Sequence, residues 1–292
     1  MRALPRRCAV ARALLACLVA AGVITGGPAA ARPLDEVTAS GVLRVAIYDD
    51  NRPFSEAGTA GPRGIDADLA RAIAERLKLK LDLRVVDAGE NVDGDFRLNL
   101  WRGDLAGTPL ADLMLHVPHD RILATRNEQI FLTNPYFEQR LAFAYHRGRI
   151  EGFEGVRDLE GNTVAVEGTS ASDSLVMNAE GGRFRSTVRH FRSFDEAVKA
   201  YLAGETAILA GTRAGIEAAL AAAGAAGEDN PVVEVPIPGL VRTRWDLGGA
   251  VRSDSRDLAY AVGDALAALA QEGRLKAICA SYGVSYTAPQ GY

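Results

Sequence analysis

Cysteine is scarce in this 292-residue chain, which holds three: Cys8, Cys17 and Cys279. A disulfide-knit scaffold is thereby excluded, and a chain of this length can bury a sizeable core without one. An excess of one charge is also missing. The 33 basic side chains face 37 acidic ones, a net −4, so nothing in the total points to nucleic acid as a partner. Long apolar runs are missing too: the one at 13–24 falls well short of the roughly 20 residues of a bilayer span. No G-x-S-x-G, no Walker loop and no Cys/His nucleophile pair occurs after the first 31 residues, and no cofactor is expected. What is present is the balance of an ordinary globular protein, 48% hydrophobic, 24% charged and 7% aromatic, with length for about two domain-sized units.

Residues 1–31 carry Arg2, Arg6, Arg7 and Arg12 and no acid, then the apolar run, then the small residues Ala29-Ala30-Ala31. This is the pattern of a secretory signal peptide, with the mature chain beginning at Arg32. A lipoprotein box at Leu14-Leu15-Ala16-Cys17 fits less well, because the apolar run continues past the cysteine. A twin-arginine signal fits poorly beside Pro5 and Cys8. Without the signal the chain is more acidic, 29 basic against 37 acidic side chains, and keeps Cys279 alone. That thiol follows Leu275 and Ile278 in a helical pattern and reads as buried and inert. An exported, periplasmic protein is expected, with no stable membrane insertion after cleavage.

From residue 43 onward, β-like runs alternate with helix-period segments. Strands are expected at 43–48, 81–86, 113–117, 141–145, 163–166, 207–210, 232–237 and 249–252. Leu69, Ile73 and Leu77 mark one apolar helix face after the acidic start Asp66 and Asp68. Ser193-Phe-Asp-Glu196 reads as a capping box opening a helix that Gly204 stops, and a further helix is expected over 258–271. Residues 87–109 form a long connection, and the Ala/Gly stretch 218–227 a helix end and loop. Strands separated by such helices call for right-handed crossovers and mostly parallel sheets, an α/β fold.

Three local patterns coincide. A strand leads into Asn51-Arg-Pro-Phe54, a glycine-rich turn and Gly64-Ile-Asp-Ala-Asp-Leu69. Ala111-Asp-Leu-Met-Leu-His-Val117 leads to Arg126 and then Asn134-Pro-Tyr136. Asp158-Leu-Glu-Gly161 precedes a strand and Gly168-Thr-Ser170. Together with Gly249-Ala-Val-Arg252 and Gly273-Arg-Leu-Lys-Ala-Ile278, they resemble the family 3 periplasmic solute-binding proteins, which deliver amino acids and similar polar solutes to ABC importers. The resemblance implies a type II periplasmic-binding-protein fold: two α/β lobes joined by two hinge strands and closing on a small-molecule solute, with an ABC-transporter permease as partner. It places lobe I at 32–140 and 248–292, the latter including the hinge return, and lobe II at 141–247.

The same resemblance makes Arg126 the guanidinium fork for a carboxylate, Phe54 an apolar wall, and Thr169 with Ser170 a second anion-binding point. Residue chemistry alone allows the last pair that role, since hydroxyls and free N–H groups at a strand-to-helix turn favour an anion; an ordinary helix cap, or a surface ion pair for Arg126, is the plainer reading. Departures are also visible. Asn51 stands where amino-acid receptors carry a stacking aromatic, and Gly211-Thr212-Arg213 stands where they carry an aspartate for the α-ammonium. The loop 118–125 is about two residues longer than usual. A plain α-amino acid is therefore not the expected solute; a polar, carboxylate-bearing one, amino-acid-like or an organic acid, is.

Asn51, Val117-Pro118, Gly211 and Ala214-Gly215 also resemble solute-binding-like accessory proteins of periplasmic PQQ-dependent (quinoprotein) dehydrogenases, a second candidate role. A third is an enzyme resembling cyclohexadienyl dehydratases, with Glu138 or Glu167 as the proton-transferring acid; ordinary structural glutamates are the plainer reading. His116-Val-Pro-His119-Asp120 invites a metal reading, but the two histidines straddle a proline and need not converge, so no metal is expected. Trp245 and Asp246 precede the return crossing, where they line the cleft or pack the hinge. No catalytic residue is assigned.

Overall fold

Alternating apolar residues make the first strand two-faced. Leu43, Val45 and Ile47 are fully buried on one side, Ala46 and Tyr48 on the other, the period of two that a strand imposes. This is β1 (Val42–Tyr48) in a computed structural model that describes residues 32–236 and 242–290. The expected export signal, 1–31, lies outside the described residues. Among those that are described, no helix is long and apolar enough to cross a membrane.

A short helix, α1 (Leu34–Ser40), precedes β1; α2 (Ile65–Arg76), β2 (Lys80–Val86), α3 (Val92–Phe96), β3 (Leu113–Pro118), α4 (Arg121–Arg126), β4 (Ile130–Leu132) and β5 (Phe137–Tyr145) follow it. The chain continues through β6 (Val164–Glu167), α5 (Ala171–Asn178), β7 (Val188–Phe191), α6 (Phe194–Leu202), β8 (Ile208–Thr212) and α7 (Arg213–Ala222). It ends with β9 (Val232–Val233), β10 (Arg244–Arg252), α8 (Arg256–Gln271) and α9 (Arg274–Ser281). Strand order is β2-β1-β3-β10-β5-β8-β6-β7, with β4 on β10 and β9 on β5. β2, β1 and β3 are parallel, as are β8, β6 and β7. Between these groups run β5 and β10, antiparallel from Phe137–Leu247 to Arg140–Arg244. Beyond that overlap β5 continues onto β8, and β10 onto β3 and β4. Two half-sheets joined by two long strands is the expected two-lobed α/β architecture.

Each half-sheet is covered on both faces. In the first, the Leu43 face packs on Leu69, Ile73, Val262 and Leu266 of α2 and α8, and the Tyr48 face on Phe96 and Leu100. In the second, Val164 and Val166 pack with Phe143, Phe153 and Leu175, while Ala165 and Leu209 lie against Tyr201, Ile216 and Leu220 of α6 and α7. Cys279 is buried as expected, which pushes its thiol up to about 12.

Several elements differ from the sequence expectation. The loop 118–125 contains α4, opened by the Asp120 carboxylate accepting the N–H of Leu123 at 2.9 Å. The connection 87–109 holds α3, capped by Asn91, and a wider π-type turn over Arg97–Trp101. The capping box at Ser193 is half formed. Ser193 Oγ accepts the Glu196 N–H at 3.3 Å, but the Glu196 carboxylate takes the N–H of Arg192 instead of Ser193. The expected strand at 232–237 is reduced to Val232–Val233, and Ile237 lies outside the described residues.

Candidate functional site

In open α/β sheets, ligands bind beyond the carboxyl ends of parallel strands, where helix N-termini gather. Here that position is a cleft of about 280 Å³. Asp50, Asn51 and Arg52, just beyond β1, form one side. Glu167 at the end of β6, Gly211-Thr212 at the end of β8, and the first residues of α5, α6 and α7 form the other. All three helices are capped by hydroxyls facing this cleft: Ser170 accepts the N–H of Asp173 at 3.0 Å, Ser193 that of Glu196, and Thr212 that of Gly215 at 3.2 Å.

Among the described residues that line the cleft, the charged ones are Asp50, Glu167 and Asp195 against a single guanidinium, Arg52. Arg52 reaches across to Asp195 at 2.7 Å and lies 3.5 Å from Asp50 and 3.7 Å from Glu56. The Arg52 and Asp195 side chains are 47% and 48% exposed, so this bridge between the two sides contributes at most about 1 kcal/mol and opens readily. Glu167 is half-buried. Burial and then the Asp50 and Asp195 carboxylates push its carboxyl above the usual range, against a backbone N–H from Phe194 that pulls it down. Among the described residues none hydrogen-bonds the buried Asn51 Nδ2, a donor suited to an acceptor on a guest.

Of the residues expected in the site, Asn51, Ser170, Gly211 and Thr212 line this cleft. Arg126 does not. The lengthened connection after β3 folds as α4, whose last residue turns its guanidinium outward to Asp93, at 3.0 Å from Nη2, and leaves the side chain 54% exposed. Phe54 is not a cleft wall but a core residue, 1% exposed, edge-on to His116 and Phe137 at 4.5 and 5.3 Å between ring centres. Thr169 satisfies itself: its N–H donates to Asp173 at 2.9 Å and its hydroxyl to the Gly168 carbonyl at 2.6 Å. Arg213 is drawn off by Glu217 and Glu234, at 2.7 and 2.5 Å.

Gly211, which stands where the resembling receptors carry an aspartate, has no room for a side chain. A Cβ on Gly211 would stand 2.5 Å from Cε2 of Phe194, and one on Gly215 2.9 Å from Oγ1 of Thr212 and 3.3 Å from Cε1 of Phe194, so Gly211 makes room for the ring and Gly215 for the ring and the capping hydroxyl. Phe194, which also lines the cleft, supplies the aromatic surface that Asn51 lacks. Trp245 does both things expected of it, lining the cleft and packing on both cores. Glu138 is buried on β5 against Arg140, away from the cleft. His116 sits on the buried Asp66 at 3.0 Å, itself held by the Tyr136 hydroxyl at 2.5 Å. Among the described residues no group of three or more His, Cys, Asp or Glu is placed to hold a metal ion.

Asp50, Arg52, Ser193, Phe194 and Asp195 were not anticipated. Ser193 was visible as a cap, and Asp195 and Phe194 follow it, but nothing local says which helices open on the cleft. That depends on strand order.

No protein-family model matches the chain, and no curated protein shows significant sequence similarity to it. Solved structures do match in fold. An ancestral cationic amino acid solute-binding protein, AncCDT-1, superposes with a TM-score of 0.66 at 22% identity over 85% of this chain and 98% of that one. Substrate-binding domain 2 of Lactococcus lactis GlnP, in an open conformation, gives 0.61 at 23% identity over 83% and 95%. An amino acid ABC transporter substrate-binding protein from Streptococcus pneumoniae, bound to L-arginine, gives 0.58 at 21% over 87% and 98%. At these identities the likeness establishes the two-lobed fold.

Proposed function

We propose that this protein is an exported solute receptor of an ABC importer, and that its cleft closes on a small polar solute carrying a positive charge. The observation that carries this reading is the charge of the cleft: three carboxylates and one guanidinium leave an excess of two negative charges, and the arginine expected to hold a carboxylate faces away. A half-buried carboxylate crowded by two others is relieved by an ammonium group, and a charge-assisted bond of this kind contributes about 1.5–3 kcal/mol. The hydroxyl-capped helix starts and Asn51 Nδ2 suit an acceptor on the same solute. The fold neighbours include proteins whose names specify cationic amino acids or arginine, in keeping with this reading. In this reading lobe II spans 141–247, the rest of the chain from residue 32 belongs to lobe I and the hinge return, and a permease is the partner that empties the cleft.

The test is a melting-shift panel of amines, cationic and zwitterionic amino acids, organic acids and polyols on the chain from Arg32. Solute at 100 times its dissociation constant adds about 2.7 kcal/mol, a shift of a few degrees. Shifts with amine-bearing solutes that are absent with organic acids support the reading. Shifts with acids alone overturn the sign of the charge. A second reading, an enzyme using Glu167 as its acid, is favoured by the raised carboxyl inside the cleft and by the description of AncCDT-1 as a precursor of cyclohexadienyl dehydratase. Turnover of a carboxylated ring, lost in Glu167→Gln, distinguishes it.

A further inference from the structure

A second cavity, of about 470 Å³, lies directly behind the cleft. Its walls include Pro53, Tyr282, Gly283 and the small side chains of Ala218, Ala219 and Ala222, with Glu56 and Arg63 as charged members of the lining. Gly215, Ala218, Ala219 and Ala222 recur at the three- and four-residue spacing of one helix face, so α7 presents no side chain larger than methyl to this space. The two cavities share Arg52, Phe194, Asp195 and Gly215. Those residues are the partition between them. Arg52 and Asp195 are an exposed ion pair that can part, and Gly215 has no side chain, which leaves the Phe194 ring as the solid piece of the wall. The ring occupies the space that the missing Cβ atoms at 211 and 215 leave, packs against the core beneath α6 and α7, and stands at the start of α6 beside Ser193.

Building on the cation reading above, we infer that Phe194 is the specificity-determining residue that sets how long a solute the cleft accepts. The carboxylates hold the charged end, the ring stops the far end, and the chamber behind it, apolar along the α7 face, stays out of use. Removing the ring joins the chamber to the cleft and admits an aliphatic tail. Each methylene that then leaves water tightens binding about fourfold, the equivalent of ~0.8 kcal/mol.

The experiment measures dissociation constants of ethylamine, butylamine and octylamine by calorimetry for the native protein, Phe194→Ala and Phe194→Leu. The leucine variant keeps apolar packing on α6 and α7 should the alanine variant fold poorly. The native protein is expected to show little gain from ethylamine to octylamine. Both variants are expected to weaken toward ethylamine while the octylamine-to-ethylamine preference rises at least tenfold. Equal losses for all three amines would mean that Phe194 only supports the fold, and a steep chain-length gain already in the native protein would mean that the ring is no barrier; either overturns the inference and leaves the cation reading standing. If no amine binds any of the proteins, the cation reading itself falls and takes this inference with it.

Discussion

At the scale of single residues, the cleft depends on Glu167. Its carboxyl is raised in the folded protein, so the folded state holds its proton more tightly than the unfolded one. The stability this contributes is present below the ordinary carboxyl pKa and is lost as pH rises through the raised value. Glu167→Gln keeps the neutral form at every pH. Differential scanning calorimetry is expected to show a higher melting temperature than the native protein at pH 7 and no difference at pH 3, while amine affinity falls about tenfold or more, the loss of one charge-assisted bond. A variant less stable at pH 7 would mean that the carboxylate is already compensated without solute. Arg126 gives the opposite expectation. Arg126→Ala removes only an exposed pair with Asp93, so stability should change by no more than about 1 kcal/mol and solute affinity not at all. A loss of affinity would return Arg126 to the site.

Among the elements, those with a full period of apolar residues were legible in the sequence and those set by one capping residue were not. β1, α2 and α8 carry repeating burial patterns that a window of ten residues reveals. α4 has six residues, too few for a period, and exists because Asp120 caps it and Arg242 pairs with that carboxylate. Asp120 was visible only as part of a histidine-flanked motif. Leu123 N–H first, and Arg242, hold the Asp120 carboxyl below its ordinary range, so its contribution is present above the unfolded pKa and lost as pH falls through the depressed one. Asp120→Asn, a fair cap without the charge, should cost less than Asp120→Ala, which should cost about 1 kcal/mol at pH 7 in urea unfolding. Equal costs would assign the whole effect to the ion pair. The orientation of Arg126 follows from α4 and from Asp93, 33 residues away, and no local pattern carries that information. The hydroxyl cap Ser170 was legible for the opposite reason: a strand, a hydroxyl and a helix are consecutive in the chain.

On the scale of the whole molecule, hinged closure is governed by whatever crosses between the half-sheets. Sequence resemblance pointed to two crossings, β5 and β10, and the structure adds a third. After α9, Tyr282 is anchored to the first half-sheet, its hydroxyl donating to Asp68 at 2.8 Å and accepting from Gly64 N–H at 3.0 Å. The chain then runs past α7 of the second: Gly283 fits against Ala221, where a Cβ would come within 2.4 Å, and Ser285 N–H donates to Glu217 at 2.7 Å. The Thr287 carbonyl next accepts the N–H of Glu138 on β5 at 3.0 Å, and Gln290 N–H reaches Asp246 on β10 at 3.3 Å. The segment thus ties α7, which begins at the cleft, to both long strands and to α2, so an opening that shifts α7 against α2 acts on these bonds. Each hydrogen bond contributes only about 1 kcal/mol net, enough together to bias an open–closed equilibrium of a few kcal/mol. Ending the chain at Gly283 should therefore raise the radius of gyration of the solute-free protein in small-angle scattering and enlarge the contraction on adding solute. Solute affinity should fall in the same variant, because part of the closure that the segment supplies must then come from binding. If scattering and affinity are both unchanged while the fold is retained, the segment is passive and the two strands alone set the hinge.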